Sequence, residues 1–166
     1  MNQPLLITHA APADTPQLAA IEAACFPSAE AASPQSIAAR VVAFPECFWV
    51  VREVPAGPIL AFVNGMATSE EHLADAMYDD ATLHERTGAW QMIFSVACMP
   101  TRRGEGLASA ALERAIADSR IRGRRGLVLT CKEALIGFYA RLGFVDEGVS
   151  ASQHGGVEWH EMRLTL

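Results

Sequence analysis

Arg102-Arg103-Gly104-Glu105-Gly106, preceded by Pro100-Thr101 and followed by Leu107, is a run whose residue types suit a phosphate group. Gly104 and Gly106 carry no β-carbon, so a ligand can approach the backbone and successive N–H groups can point at one anion. The run also opens a helical stretch. Its first-turn N–H groups lack intrahelical acceptors, and the helix dipole adds partial positive charge at the same spot. Arg102 and Arg103 bring full charges beside it, and Glu105 is expected to point to water. A pyrophosphate would suit that cradle. Gly-rich turns between a strand and a helix also exist for packing alone, so the run is a candidate site. The nucleotide-loop spacings Gly-x-x-x-x-Gly-Lys and Gly-x-Gly-x-x-Gly are absent.

The other chemistry-bearing residues are dispersed. His9, His72, His84, His154 and His160 form no cluster of metal-ligand spacing with cysteines, so no metal is expected. Cys25, Cys47, Cys98 and Cys131 lie far apart and read as buried, reduced thiols. Glu22 and Glu161 read as capping or solvated groups and not as catalysts. Tyr139, one of two tyrosines, sits in an amphipathic stretch, where a tyrosine ordinarily packs in the core with its hydroxyl at the edge.

The 166 residues suffice for one domain, 1–166, burying roughly two thirds of the unfolded surface. A net charge of −6 argues against nucleic-acid and acidic-membrane partners, which need a basic surface, and is compatible with a cationic small molecule. The start, Met-Asn-Gln-Pro, lacks a basic, apolar leader pattern, and no stretch is apolar enough over 18 residues to span a membrane. The expectation is a cytoplasmic protein, a monomer or homodimer.

Periodicity supplies the elements that must position these residues. Leu5–Thr8 reads as a strand. Asp14 is placed to cap a helix from about Pro16 to Ala24, with Leu18, Ile21 and Cys25 on one face. Ser33-Pro34 opens a second helix through Phe44. Cys47–Arg52 and Pro58–Ala67 form a hairpin, and a long polar connection, Thr68–Gly88, follows. Next come a strand over 89–98, a helix over 104–122 and a strand over Leu127–Cys131. Arg120, Arg122, Arg124 and Arg125 then read as partners of that helix's C-terminal dipole. A helix over Lys132–Leu142, ended by Gly143, and strands Phe144–Val149 and Val157–Leu164 complete a mixed α/β sheet.

In this order, Thr101–Leu107 resembles the acetyl-CoA motif (Q/R)xxGxG/A of the GCN5-related N-acetyltransferase superfamily, with Thr101 in place of Gln or Arg. Leu129-Thr-Cys-Lys-Glu-Ala-Leu-Ile-Gly-Phe-Tyr139-Ala-Arg-Leu-Gly-Phe144 resembles its ALxFYxxxGF motif. Within the superfamily the chain looks most like the arylalkylamine (serotonin-type) N-acetyltransferases. Glu22-Ala-Ala-Cys-Phe26 with Pro34 resembles that group's acceptor-pocket loop, and Thr82-Leu-His-Glu-Arg-Thr-Gly88 resembles its run before the central strand. Trp159-His-Glu-Met162 resembles its final strand. The resemblance implies a central, mostly antiparallel sheet flanked by helices, and acetyl-CoA as co-substrate. It implies that Phe94, Ser95, Val96, Arg102, Arg103, Gly104, Glu105, Gly106 and Leu107 hold acetyl-CoA. Phe26, Pro34 and Trp159 would line the amine pocket, and Tyr139 would serve the chemistry.

Amine acetylation needs a neutral nitrogen, and a primary alkylamine near pKa 10 is almost wholly protonated at neutral pH. The resembling enzymes carry two histidines on the central strand as a proton path, where this chain has Trp90 and Met92. The expectation is therefore a water path, with turnover following the neutral fraction of the amine. The competing class is an acyl-CoA-binding or sensor domain that has lost turnover; retention of Tyr139 favours the enzyme.

Overall fold

A computed structural model describes residues 4–166, and the leader reading of Met1–Gln3 falls outside them. Two sheets share the chain. In the first, β1 (Leu6–His9), β2 (Phe48–Arg52), β3 (Ala61–Asn64) and β6 (Ser95–Cys98) lie in the order β1-β2-β3-β6, all antiparallel. The second has the order β4-β5-β7-β9-β8, from β4 (Ala67–Thr68), β5 (Trp90–Ile93), β7 (Gly126–Cys131), β8 (Val145–Val149) and β9 (His160–Thr165). Its β5–β7 pair is parallel and the others are antiparallel. The expected mixed α/β architecture is present.

Both faces of the first sheet are covered, which is why β2 is a continuous apolar run and not an alternating one. Phe48 and Val50 join Leu18, Ile21, Ile37 and Val41 under α1 (Thr15–Cys25) and α2 (Pro34–Ala43). Trp49 and Val51 point the other way, into the core with Leu107, Ala111, Leu112 and Ala115 of α4 (Leu107–Ile121). α2 starts as expected, with Ser33 Oγ accepting Ser36 N–H at 3.1 Å and Pro34 in its first turn. Asp14 does not cap α1. Its carboxylate turns back to accept from Ala11 N–H and from Arg52, at 2.9 and 2.6 Å. α4 begins at Leu107 and not Gly104, because Gly104 and Gly106 take positive φ, +85° and +77°, which a right-handed helix excludes. Arg124 is not a dipole partner at the surface. It is buried and donates to Gly88 O at 2.6 Å, while Arg125 lies over the Trp90 ring. The polar connection contains the single-turn α3 (Ala76–Asp79). The helix expected over Lys132–Leu142 is a tight turn followed by α5 (Ile136–Arg141), closed by Gly143 at φ +101°. Among the described residues, no helix is long and apolar enough to cross a membrane.

Two strands expected to run unbroken are each interrupted, and the interruptions face one another. The chain over 61–68 breaks at Gly65-Met66 and the chain over 90–98 breaks at Phe94. Phe94 N–H donates to Asn64 O at 2.7 Å although Ser95 is already the register partner of Asn64, so two residues oppose one, as in a β-bulge. The buried Gln91 amide spans the interruption, donating to Gly65 O at 2.8 Å and to Met92 O at 2.9 Å. Gly65 is required there by contact: a β-carbon on it would stand 1.8 Å from Met92 O. Gly65→Ala is therefore expected to cost about 2 kcal/mol or more, since only backbone can yield, and urea unfolding of the two proteins measures it.

Candidate active site

At Phe94 the central strand changes partners. Up to Ile93 it pairs with β7 through Ile93↔Leu129, and from Ser95 it pairs with β3. Thr130 and Cys131 of β7 continue against β9 alone. The two strands thus diverge, leaving facing edges with no ladder between them. Antiparallel alternation, with Met99 N–H on Leu60 O, puts the main-chain groups of Val96 and Cys98 on the outer edge of β6. Cys98 O accepts from Cys25 Sγ at 3.1 Å, and Val96 N–H remains directed at the gap. A cavity of about 550 Å³ opens there, and Phe94, Ser95 and Val96 line it together with Leu129–Lys132.

The Gly-rich turn follows β6 directly and stands at the N-terminus of α4. A β-carbon on either Gly104 or Gly106 would meet no protein atom within 4 Å, so the space beside both is open. The first helical hydrogen bond is Ala110 N–H to Gly106 O, which leaves the N–H groups of Leu107, Ala108 and Ser109 without helical acceptors. These features fit a diphosphate. Glu105 is exposed, as expected, and in that position it accepts from Arg102 Nε at 2.7 Å, while Arg102 also reaches Glu53. Arg103 is exposed and Leu107 is buried in the core, so the leucine side chain faces away from any ligand there.

The cavity walls bring together groups that no sequence pattern links. Phe26, Tyr78, Phe94 and Trp159 supply aromatic surface. His154 stacks on Tyr78 with ring centroids 4.6 Å apart, and its Nε2 bonds Glu30 O at 2.8 Å. Trp159 Nε1 donates to His154 O at 2.7 Å, and Lys132 Nζ reaches the buried Glu30 carboxylate at 2.9 Å. These bonds tie the strap between β8 and β9 to the loop between α1 and α2. Tyr78 Oη shares a hydrogen bond with Thr130 Oγ1, and burial pushes its phenol up to about 12. Tyr139 lines the cavity, and burial raises its pKa as well, so the phenol stays protonated and able to donate.

Two buried charges were not expected. Glu22 is 3% exposed and lines the cavity; its Oε2 accepts Ala32 N–H at 3.0 Å, and its Oε1 has no partner. Burial raises its pKa, opposed by the Ala32 bond, the Ser95 side chain and the charges of Arg40 and His154. Arg40 is equally buried, donating to Asn64 Oδ1 at 3.2 Å and Tyr78 O at 2.9 Å, with its guanidinium 4.8 Å from the Phe94 ring centre. Both were legible in principle. Positions 18, 21, 22 and 25 share one helix face, as do 37, 40, 41 and 44, so each charge stands in an apolar stripe. Tyr78 and His154 had no such signal.

Of the residues expected at the amine pocket, Phe26 and Trp159 line the cavity and Pro34 does not. Pro34 opens α2 on its outer side, in a shallow surface groove with Pro16 and Ala38. Trp90 and Met92 face the core and not the cavity. Glu161 binds His72 and Leu73 N–H, and His160 lies beside Asp146. The fold also gathers Glu46, Cys47 and His84, close enough to share an ion, which sequence spacing did not suggest. His84 Nδ1 accepts Ala67 N–H at 3.1 Å, so Nε2 carries the proton and donates to Glu46 Oε1 at 3.1 Å. Neither ring nitrogen is then free to ligate.

Diverging strands that end at a glycine turn and a helix N-terminus define an acyl-CoA-dependent acyltransferase fold. A model of the family described as "Acetyltransferase (GNAT) family" matches residues 15–144, and the chain belongs to that family. Similar solved structures include GphF, a GNAT-like decarboxylase in complex with isobutyryl-CoA (TM-score 0.81, 20% identity, 96% of this chain and 98% of that one). Another is yncA of Salmonella typhimurium with its cofactor acetyl-CoA (0.69, 19%, 99% and 95%). The ribosomal-protein alanine N-acetyltransferase of Escherichia coli is similar at 0.69 and 20%, covering 98% and 94%. At such identities the likeness is one of fold.

Because Gly106 sits at φ +77° beside open space, Gly106→Val both strains the turn and fills that space. The expected outcome is a loss of CoA affinity of about tenfold or more in calorimetry, with the far-ultraviolet spectrum of the fold retained.

Proposed function

We propose that this chain transfers the acetyl group of acetyl-CoA to the primary amine of a small molecule by direct attack. The partner exchange at Phe94 carries the reading, because it opens a slot between β6 and β7 with an N–H donor on one side and a tyrosine on the other. The turn at Gly104 and Gly106 would hold the diphosphate of the co-substrate, leaving the slot to its thioester arm. Val96 N–H would donate to the carbonyl oxygen as negative charge gathers on it. Tyr139, kept protonated by burial, would donate to the departing sulfur. The aromatic walls of Phe26, Tyr78, Phe94 and Trp159 favour an arylalkyl amine over a polyamine, since they offer flat apolar surface.

Incubation with acetyl-CoA and a panel of amines, read by thiol release and product mass, decides it. Amine-dependent thiol release with an acetylated product supports the proposal. Tight CoA binding with no acceptor raising thiol release above hydrolysis would instead establish the sensor reading. Tyr139→Phe should lower kcat by about 10²-fold, the scale of one lost general acid, while CoA affinity measured by calorimetry stays unchanged.

A further inference from the structure

We propose that Glu22, reached through the Ser95 hydroxyl, receives the proton that the acceptor amine sheds; this rests on the amine-acetylation reading above. The central strand itself offers no base beside the slot, since Trp90 and Met92 are in the core and Ile93, Phe94 and Val96 are apolar. His84 is committed to Ala67 and Glu46 at a place apart from the cavity. Ser95 is the polar side chain at the point where the strands part, and it lines the cavity. Glu22 lies behind it. One carboxylate oxygen is anchored by Ala32 N–H, the other is buried and makes no hydrogen bond of ordinary length, and the Ser95 side chain is the neighbouring hydroxyl that acts on this carboxyl. An unpartnered oxygen at 3% exposure is costly unless it is used.

The groups facing Glu22 are Arg40 from α2, His154 from the strap, Cys25 on its own helix and, from the other cavity walls, Tyr78 and the Glu30–Lys132 pair. Arg40 and His154 favour the carboxylate, and burial favours the acid. The balance falls on the side of burial, which makes Glu22 more basic than a surface glutamate and better matched to proton transfer near neutral pH.

The substrate ammonium gives one proton to Ser95 Oγ as the Ser95 hydroxyl proton passes to Glu22 Oε1. The freed nitrogen pair forms the N–C bond, and the C–S bond breaks with its electrons on sulfur. Tyr139 gives its hydroxyl proton to that sulfur, the second N–H proton restores the phenol, and Glu22 returns its own proton to solvent once product leaves.

The test compares wild type with Glu22→Gln, which keeps the shape and the Ala32 contact, using two amines of different pKa. Wild-type kcat/KM should fall on the acid side through an inflection that stays in place when the amine is changed. Glu22→Gln should lose about 10²-fold at neutral pH and lose that inflection, its rate following the neutral fraction of each amine. CoA affinity by calorimetry should not change. In free enzyme, infrared titration should show a protonated-carboxyl band above the ordinary carboxylate range that is missing from Glu22→Gln. Should Glu22→Gln fail to fold, Ser95→Ala should keep the infrared band and lose the inflection. A wild-type inflection that moves with the amine, or an unaltered profile in Glu22→Gln, overturns the inference alone. No amine turnover in wild type overturns the acetylation reading and this inference with it.

Discussion

The structure depends on one exchange of backbone partners. A β-strand has two edges, and a central strand normally has both filled; here residues 90–98 fill one edge from β7 for four residues and then abandon it. Nothing in the register of β3 or β7 alone would force this. The bulge at Phe94-Ser95 and the break at Gly65 shift the ladder at the same level, and Gln91 satisfies the carbonyls that the shift leaves over. A buried amide making three bonds to main-chain oxygens holds the divergence open as a fixed shape. The slot, the cavity and the orientation of Val96 all follow from it.

The second organising fact is that charge has been placed where the helices should be apolar. Glu22 and Arg40 interrupt the faces by which α1 and α2 pack on the first sheet, yet they form no close ion pair with each other. Arg40 is spent on Asn64, Tyr78 and the Phe94 ring, so it braces the strand break from beneath. Stability alone would favour hydrocarbon at both positions. Both line the cavity, so the fold gives up packing energy there.

Much of this was readable in advance. Caps and periodicity placed α2, the hairpin and the closing strands, since Ser33-Pro34 and continuous β-branched runs act locally. The glycines of the turn stand out in sequence by their missing β-carbons, whereas the positive φ that moves the helix start to Leu107 leaves no mark there. Strand breaks were not readable, because Phe94 and Gly65 look like ordinary members of apolar runs and the partner exchange is a long-range event. Pro34 was misplaced because proximity to Phe26 in sequence says nothing of which side of α2 faces the cavity. General odds put a glutamate at the surface, whereas the helical phase of Glu22 puts it in the apolar stripe of α1. His154 and Tyr78 meet through chain reversal alone, beyond the reach of any local pattern.

The pairing of Arg102 with both Glu105 and Glu53 has an electrostatic consequence. With Arg103 the turn carries two cations, and the two carboxylates cancel them, so a diphosphate arriving there meets little net charge. Attraction would come from oriented N–H dipoles at contact range, inside the Debye length, and not from a long-range field. Affinity at such a site would depend only weakly on ionic strength, and an anion that takes the Nη2 donors of Arg102 would compete with Glu53, just past the end of β2. An anion on that nitrogen would thereby loosen the tie between the turn and the end of β2.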